Sequence, residues 1–137
     1  MRSVIFAAAL VAAAPFATVP STVIAQEAPV GIAENGQRLF NQCRVCHTPQ
    51  EGGRNGVGPN LYRVYGRPAG SIEGFRYSVP MRERAAAGLA WSEANLRAYL
   101  ADPKAIVPAG SMSFPGFREN AQNISDVIAY LRQVGGQ

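Results

Sequence analysis

The sequence predicts an all-α fold, a small domain of about four to five helices joined by long loops. An apolar stripe near the C-terminus has the i, i+3, i+4, i+7 spacing of an amphipathic helix and consists of Ile124, Val127, Ile128, Leu131 and Val134. Proline and glycine, with 10 and 14 copies in 137 residues, interrupt the chain between helical segments. No alternation of apolar and polar residues is long enough to require a sheet, and the length suits one domain.

The first predicted helix covers residues 32–46, and its apolar face consists of Ile32, Gly36, Leu39, Phe40 and Cys43. Glycine inside a helix costs about 1 kcal/mol relative to alanine. Two explanations for Gly36 remain open at this point. Either another helix crosses closely there, because glycine has no side chain to obstruct it, or a frayed first turn tolerates the residue.

Three further helices are predicted over residues 80–87, 92–101 and 123–134, with irregular segments over 48–60 and 104–120. Pro80 suits the first turn of its helix, and Gly88 lies just past the end of that helix. Ser92 is a favourable N-cap, and Pro103 follows the end of the helix that Ser92 begins. Gly135 is placed to stop the last helix.

The pentapeptide Cys43-Arg44-Val45-Cys46-His47 is the attachment pattern of a c-type haem. On one helical turn, the two thiols can reach the two vinyl groups of a single porphyrin and form thioethers. His47 then lies beneath the iron and offers a ring nitrogen as the proximal ligand. The motif therefore predicts one haem c, covalently bound through Cys43 and Cys46.

Other interpretations of the pentapeptide are weaker. A thioredoxin-like Cys-x-x-Cys favours a βαβ setting, and no β-rich pattern surrounds this one. Structural zinc takes four Cys or His ligands, whereas the chain has 2 cysteines and 1 histidine, so carboxylates would have to complete the site. A disulfide would leave His47 without a role.

The N-terminus has the features of an export signal. Arg2 supplies a positive start, residues 4–16 form an apolar run, and Val23-Ile24-Ala25 fits the small-x-small cleavage pattern. We predict a cleavable signal peptide over residues 1–25 and the mature domain over 26–137. An uncleaved anchor is the alternative, but a membrane span needs about 20 apolar residues, and prolines interrupt this run. Export agrees with haem attachment outside the cytoplasm, and it predicts a periplasmic location without stable membrane insertion.

The net charge is modestly positive. The formal charge of +4 falls to +3 when Arg2 is removed with the signal. The cations form no run, so nucleic-acid binding is not indicated. A mild positive field could steer docking to an acidic partner, or the charges could simply belong to an ordinary solvated surface.

The chain has only 1 histidine, so the sixth position of the iron either takes another donor or stays open. The candidates in the mature chain are Met81, at the start of a predicted helix, and Met112, in the irregular stretch of prolines and glycines. Core methionines usually lie on the face of a helix or strand, so Met112 is the better candidate. His47 and Met112 are accordingly the predicted metal ligands. The Pro59 carbonyl could accept a hydrogen bond from the other ring nitrogen of His47 and fix its tautomer.

At this point the sequence resembles a class I c-type cytochrome, similar to the mitochondrial and purple-bacterial soluble cytochromes c. The resemblance covers about residues 36–131 and rests on motifs that recur in order. They are Gly36 and Phe40, Cys43-x-x-Cys46-His47, Gly58-Pro59-Asn60-Leu61, Gly66-Arg67, Gly74-Phe75-x-Tyr77, Trp91, Tyr99-Leu100, Asp102-Pro103-Lys104, Met112-x-Phe114-x-Gly116 and Ile128-Ala129-Tyr130-Leu131.

The resemblance implies a role for each matching position. It implies haem attachment through Cys43 and Cys46, axial ligation by His47 and Met112, and a bond from His47 to the Pro59 carbonyl. Residues that match partners of the haem propionates are Arg67, Tyr77 and Trp91. Tyr99 matches a tyrosine near the methionine sulfur, and Phe114 matches an aromatic residue beside the haem edge. A helix crossing is implied at Gly36, Phe40, Val127 and Tyr130.

Several positions depart from the family pattern. The stretch from Tyr77 to Trp91 is longer than in the mitochondrial form, Met81 replaces a polar asparagine, and Gly110 replaces a hydroxyl residue near a propionate. The family's ring of lysines around the haem edge is nearly absent. Residues that stand where those lysines might be expected include Arg44, Arg54 and Ser111. The identity of the partner therefore cannot be transferred from the family.

The expected function is that of a periplasmic monohaem electron carrier rather than an enzyme. Its donor would be a dehydrogenase or a quinol-oxidising complex, and its acceptor an oxidase or another cytochrome. Two alternatives remain open. A dedicated haem subunit of one dehydrogenase would show an apolar patch around the haem edge. A ligand-binding or peroxidatic haem protein would require that Met112 not hold the iron.

Overall fold

The computed structural model of the protein describes residues 27–137, and this range is helical, as predicted. The helices are α1 (Ala33–Leu39), a 3₁₀ turn (Phe40–Gln42), α2 (Val79–Ala86), α3 (Glu93–Ala101), α4 (Pro103–Ile106) and α5 (Ala121–Val134). The only β pairing within 27–137 is a single antiparallel bridge between Pro68 and Ala90. The predicted signal peptide lies outside the described residues. Within them, no helix is both long and apolar enough to span a membrane.

Helices α1 and α5 cross in direct backbone contact at Gly36. A Cβ atom added there would lie 1.9 Å from the carbonyl oxygen of Asp126 and 2.8 Å from the Cβ of Tyr130. Beside this point, the rings of Phe40 and Tyr130 pack with their centroids 5.2 Å apart. The close helix crossing therefore accounts for Gly36, and the contact predicted for Gly36, Phe40 and Tyr130 is confirmed.

The buried carboxylate of Asp126 supports the same crossing. It accepts hydrogen bonds from the backbone N–H of Ile32 at 2.7 Å and from Gln122 Nε2 at 2.8 Å. Ile32 precedes α1 and has no capping side chain of its own. A carboxylate on α5 thus satisfies an otherwise free donor at the start of α1 and lies at the positive end of that helix.

The prediction of one regular helix through residue 46 is wrong in its last part. The α-helix ends at Leu39 and continues as a 3₁₀ turn, after which the chain makes single turns. In those turns Cys43 N–H donates to Phe40 O at 2.8 Å, and Cys46 N–H donates to Cys43 O at 3.0 Å. Hydrogen bonds between residues three apart wind the chain more tightly than those of an α-helix. The side chains that follow therefore point in other directions than they would on a continued α-helix.

The predicted caps of the later helices are present, with small changes in the bounds. Ser92 accepts a bond from Asn95 N–H at 3.3 Å and begins α3 as predicted. Helix α2 runs one residue earlier than predicted, because Ser78 serves as its N-cap. Helix α5 begins at Ala121 rather than at residue 123, since Asn120 accepts a bond from Asn123 N–H at 3.0 Å.

Helix α4 was not predicted, because the stretch 104–120 was expected to be irregular throughout. The Asp102 carboxylate accepts bonds from the N–H groups of Lys104 and Ala105, and Pro103 occupies the first helical position. An acidic N-cap followed by proline is a helix-start pattern. Only one turn follows it, so there is no periodicity from which the helix could have been predicted.

The core forms where α1, α3 and α5 meet. Its buried members include Phe40, Leu96, Val127, Ile128 and Leu131. Trp91, Val64 and Ala69 extend the same cluster from the loops. The core is incomplete on one side, where these residues face a large cavity.

Candidate haem site

The cavity has a volume of about 510 Å³ and a mostly apolar lining. Every site residue predicted from the sequence lines it: Cys43, Cys46, His47, Pro59, Arg67, Tyr77, Trp91, Tyr99, Met112 and Phe114. They come from the turns after α1, the loops before α2 and after α4, the segment between α2 and α3, and α3 itself. A cavity of this size, apolar with a few convergent polar groups, is typical of a cofactor site.

The two cysteines lie half-buried at one part of this lining and are not joined in a disulfide. Burial raises the pKa of the Cys43 thiol to about 11, and the neighbouring Cys46 adds to the increase. The Cys43 thiol is therefore held at an apolar surface in its neutral form. The residues fit a porphyrin, since two thiols and an imidazole converge on one apolar cavity of adequate size.

The imidazole of His47 is held by the loop that follows the motif. Its Nδ1 lies 2.7 Å from the carbonyl oxygen of Pro59, the contact predicted from the sequence. Gly58 packs against the ring face, where an added Cβ would lie 2.3 Å from His47 Cε1. Burial lowers the pKa of His47 below its ordinary value of 6.5, although the Pro59 bond acts in the opposite direction. The ring is thus neutral, which is the form that binds metals.

Asn60 fixes the backbone next to Pro59, a role that was not predicted. Its buried side chain donates to Thr48 Oγ1 at 2.7 Å and to Gln50 O at 2.9 Å, and it accepts from Tyr62 N–H at 2.9 Å. Its own N–H donates to the Asn55 side chain at 2.9 Å. The only sequence feature that pointed to Asn60 was its place in Gly58-Pro59-Asn60-Leu61.

Met112 lies in the same cavity, and its sulfur has a hydrogen-bond partner. The Tyr99 hydroxyl donates to Met112 Sδ at 3.7 Å. Burial raises the pKa of Tyr99 to about 12, so its hydroxyl stays protonated and able to donate. The Tyr99 ring in turn packs on Trp91, with centroids 4.8 Å apart. Met81 also lines the cavity, so both methionines that were considered as ligands have access to it.

The residues predicted to meet the propionates are tied to the surrounding loops. Arg67 donates to Tyr62 O at 2.8 Å and to Asn60 O at 3.0 Å. Burial lowers the pKa of its guanidinium, while the nearby Tyr77 raises it. The Tyr77 hydroxyl accepts from Ile72 N–H at 3.2 Å. Arg67 and Tyr77 thus lie together at the cavity wall.

Some lining residues were not predicted as part of the site. They include Phe40 in the 3₁₀ turn, Val64 in a loop, Leu96 and Leu100 on α3, and Val127 and Leu131 on α5. Helical spacing placed Phe40, Val127 and Leu131 on apolar faces, but spacing alone cannot separate a side chain that meets another helix from one that faces a cofactor cavity. Among residues 27–137, no three or more His, Cys, Asp or Glu side chains are placed together to hold a metal ion.

A family model described as Cytochrome c matches residues 33–135. The chain belongs to the cytochrome c family. Together with the Cys-x-x-Cys-His motif on the cavity wall, this membership establishes a class I c-type cytochrome. The cytochrome binds one haem c, covalently attached through Cys43 and Cys46.

Individual relatives agree with this assignment. The cytochrome is 46% identical over 95 residues to cytochrome c2 iso-2 of Magnetospirillum fulvum, which covers 69% of this chain and 94% of the relative. It is 43% identical over 101 residues to cytochrome c2 of Blastochloris viridis, covering 74% and 76%. Among solved structures, cytochrome cH from Methylobacterium extorquens aligns with a TM-score of 0.67 at 38% identity, covering 75% of this chain and 99% of the other. The cytochrome is therefore an electron-transfer protein that works with redox partners, not an enzyme.

Proposed function

We propose that this cytochrome is a periplasmic single-electron carrier whose haem iron is held by His47 and Met112. The main support for the proposal is that His47 and Met112 line the same cavity and that each has a hydrogen-bond partner within the protein. His47 Nδ1 is 2.7 Å from Pro59 O, and Met112 Sδ is 3.7 Å from the Tyr99 hydroxyl. Each side chain is thus oriented by the protein before it meets the metal.

The contact with Pro59 selects the tautomer of His47. A carbonyl oxygen only accepts, so Nδ1 carries the proton and donates it to Pro59 O. The lone pair of the neutral ring then lies on Nε2, the nitrogen that remains for a metal. Such a bond also increases the basicity of the ligand. Gly58, packed on the ring face, restricts rotation of the imidazole.

The contact with Tyr99 serves the other donor. A thioether sulfur has two lone pairs, and the hydroxyl bond uses one of them, so the second remains for the iron. The bond also withdraws electron density from the sulfur. When bound, the haem supplies a one-electron ferric/ferrous couple, and Met/His ligation raises its potential. With His47 and Met112 both holding the iron, no site would remain for oxygen or peroxide, which would favour electron transfer.

The apolar lining supports the same role. An iron buried in this lining would have a low dielectric constant and few mobile dipoles around it. Fewer dipoles would then need to reorient when the charge on the metal changes. Among residues 27–137, Arg67 is the only Lys, Arg, Asp or Glu in the lining, and its Nη1 and Nη2 each donate to a backbone carbonyl. None of these groups is placed to make or break a bond in a substrate.

The periplasmic location is proposed from the N-terminal sequence. The features of residues 1–25 are those of a cleavable signal peptide, and c-type haem is attached outside the cytoplasm. The proposed donor is a dehydrogenase or a quinol-oxidising complex, and the proposed acceptor an oxidase or another cytochrome. Mass spectrometry of the exported holoprotein tests the cleavage, since the mature chain should begin at Gln26.

The ligand assignment is tested by Met112→Ala in the holoprotein. We expect the weak Met–iron charge-transfer band of the ferric spectrum to disappear. The potential should fall by about 0.1 V or more, within the roughly 0.8 V that axial ligands span. Optical spectroscopy with potentiometry measures both.

Met81→Ala is the matched control, because Met81 lines the same cavity. It should retain the band. Loss of the band in Met81→Ala alone would reverse the assignment. A wild-type ferrous protein that binds carbon monoxide readily would contradict the closed coordination sphere, and the carrier function with it.

A further inference from the structure

The sequence contains two Asn-Gly pairs, Asn35-Gly36 and Asn55-Gly56. Asparagine is a thermolabile residue, and a glycine after it has no side chain to hinder attack of its backbone nitrogen on the asparagine amide. The two pairs lie in different surroundings. Asn35 and Gly36 belong to helix α1, whereas Asn55 and Gly56 lie in an irregular loop and are both exposed. Equal sequence chemistry thus meets unequal structure.

The reaction open to such a pair is a cyclisation followed by hydrolysis. The backbone nitrogen of Gly56 loses its proton to hydroxide, attacks Cγ of the Asn55 side chain and forms a new C–N bond. The bond from Cγ to the side-chain nitrogen breaks, and this nitrogen takes up a proton and leaves as ammonia. Water then opens the succinimide ring at either carbonyl, which gives aspartate or isoaspartate. Water is the only reagent consumed, and nothing is oxidised or reduced.

A backbone donor of the loop points at the atom that gains charge in this reaction. When Cγ becomes tetrahedral, negative charge develops on Oδ1 of Asn55. The N–H of Asn60 donates to that oxygen at 2.9 Å. Asn60 is buried and its side chain is bonded to Thr48 and Gln50, so the donor is fixed in place. A fixed donor at the developing charge stabilises the transition state.

The nitrogen of Gly56 is held by a single hydrogen bond. Its N–H donates to Gly58 O at 2.9 Å, and this bond has to open before the nitrogen can attack. Opening one exposed hydrogen bond of this kind slows a reaction only about two- to tenfold. The loop therefore permits the reaction at Asn55.

The helix protects the other pair. Gly36 N–H donates to Ile32 O at 3.0 Å, and Gly36 is buried against the backbone of α5. The Asn35 side-chain oxygen accepts from the Arg38 guanidinium, so a donor at the reacting oxygen is present here as well. The difference lies at the nitrogen, because α1 has to unwind at the crossing to release it. Such an opening is far rarer than the opening of one loop bond.

We propose that Asn55 is a site of spontaneous deamidation in the folded cytochrome and that Asn35 is not. The exposed loop admits water, the Asn60 N–H stabilises the reacting oxygen, and one bond alone restrains the Gly56 nitrogen. The reaction replaces a neutral amide by a carboxylate. The cytochrome therefore gains a negative charge on the loop that carries the Pro59 carbonyl, the partner of His47.

The two products act differently on this loop. Aspartate leaves the backbone unchanged, and its carboxylate can still accept from Asn60 N–H. Isoaspartate directs the backbone through the former side chain of residue 55 and so lengthens it by a methylene. Just before this point Arg54 O accepts from Thr48 Oγ1 at 2.9 Å. The longer backbone disturbs the spacing of both bonds, so isoaspartate should loosen the loop.

Incubation of the holoprotein at mildly alkaline pH tests the proposal, with digestion at low pH and mass spectrometry as the readout. We expect Asn55 to convert at least about tenfold faster than Asn35 in the native protein, because α1 rarely opens. In holoprotein unfolded by guanidinium the two rates should agree within about threefold, since both asparagines then precede glycine in an unfolded chain. Isoelectric focusing of the native protein should show a more acidic form appearing at the rate measured for Asn55.

Two variants at the same position serve as controls. Asn55→Gln should not give the acidic form, because glutamine would have to close a larger ring. Asn55→Asp supplies the charge without isoaspartate, and its unfolding in denaturant should match that of fresh wild type. Aged wild type enriched in isoaspartate should unfold at lower denaturant concentration. Gly56→Ala is less suitable, since an added Cβ would lie 2.7 Å from Cys46 O.

Several results would overturn the proposal. One is equal conversion of Asn35 and Asn55 in the native protein. Another is no conversion of Asn55 in the native protein by the time the unfolded protein has reacted. An acidic form that also appears in Asn55→Gln would place the reaction at a different residue. If Asn55→Gln does not fold, the comparison of native and unfolded wild type still decides the question. None of these measurements involves the iron ligands, so the proposed function stands or falls separately.

Discussion

The two proposed iron ligands differ in how firmly the neighbouring residues hold them. His47 is restricted on two sides, by the Pro59 carbonyl at 2.7 Å and by the close approach of Gly58 to its ring. Asn60 in turn binds the backbone and side chains around Pro59 through bonds of 2.7 to 2.9 Å. Met112 has a single longer contact, 3.7 Å, to Tyr99. The Met112 thioether is therefore held less firmly by the protein than the His47 imidazole.

Replacing Tyr99 by phenylalanine removes the hydroxyl and keeps the ring on Trp91. We expect the potential to fall, because the sulfur regains electron density and stabilises the ferric state. A weak hydrogen bond worth about 0.5–1 kcal/mol corresponds to roughly 20–40 mV for one electron. Potentiometry of the holoprotein measures the change.

Tyr65→Phe is the comparison variant, since its hydroxyl binds Glu93 at 3.1 Å and Tyr65 is not in the cavity lining. Its potential should match that of wild type within a few millivolts, on the scale of the same estimate. An unchanged or higher potential in Tyr99→Phe would show that the hydroxyl does not act on the iron through Met112.

Among the elements, the pair α1 and α5 contributes most to the structure around the site. α1 leads directly into the haem-attaching turns, and α5 supplies Val127 and Leu131 to the cavity lining. The backbone contact at Gly36 sets the distance between the two helices. The Asp126 carboxylate accepts a hydrogen bond from the N–H of Ile32, at the start of α1. A change in this spacing would therefore move both the thiol-bearing turns and one wall of the cavity.

Gly36→Ala tests the crossing. The added Cβ would lie 1.9 Å from a carbonyl oxygen, so the helices must separate. Overpacking of this kind costs about 1–3 kcal/mol, or more where backbone is met, and it should exceed the gain in helix propensity of about 1 kcal/mol. Chemical denaturation of the holoprotein measures the free energy of unfolding.

Gln37→Ala is the matched control, because residue 37 is exposed on the same helix. It should leave the stability within about 0.5 kcal/mol of wild type. A Gly36→Ala protein as stable as Gln37→Ala would mean that the crossing tolerates a side chain.

Considered as a whole, the molecule has a core that surrounds an open space. Loss of one large core side chain costs about 2–5 kcal/mol, and the haem that would fill this cavity is larger than any side chain. The stability of an entire domain is only about 5–15 kcal/mol. Water entering through the mouth reduces this cost, but a cavity wall of mainly apolar side chains gains little from water.

Removal of the haem should consequently unfold the chain. We expect the apoprotein, prepared as Cys43→Ser, Cys46→Ser without haem, to lose most of its helical far-UV circular dichroism and its cooperative thermal transition. The holoprotein at the same concentration is the reference. A cooperative transition in the apoprotein would show that the helices fold without the cofactor.

The sequence was informative where function depends on local pattern. Ser92 marked the start of α3, the apolar stripe marked α5, and every predicted site residue lies on one cavity. It was less informative where structure depends on distant contacts. The bonds from Asn60 to Thr48 and Gln50 depend on packing between residues ten or more positions apart, whereas α4 has a local start signal but only one turn. No periodicity within one segment records such packing.

The crossing of α1 and α5 also constrains when the chain can fold. Ile32 and Asp126, which bond across it, are 94 residues apart, so this contact forms only after nearly the whole polypeptide is available. On the proposed export route, the segment that carries Cys43 and Cys46 leaves the translocation channel well before α5. The two thiols are then accessible in an unfolded chain, where haem ligation can precede burial. Packing of α5 therefore completes the fold and also ends the period in which haem can reach the two thiols.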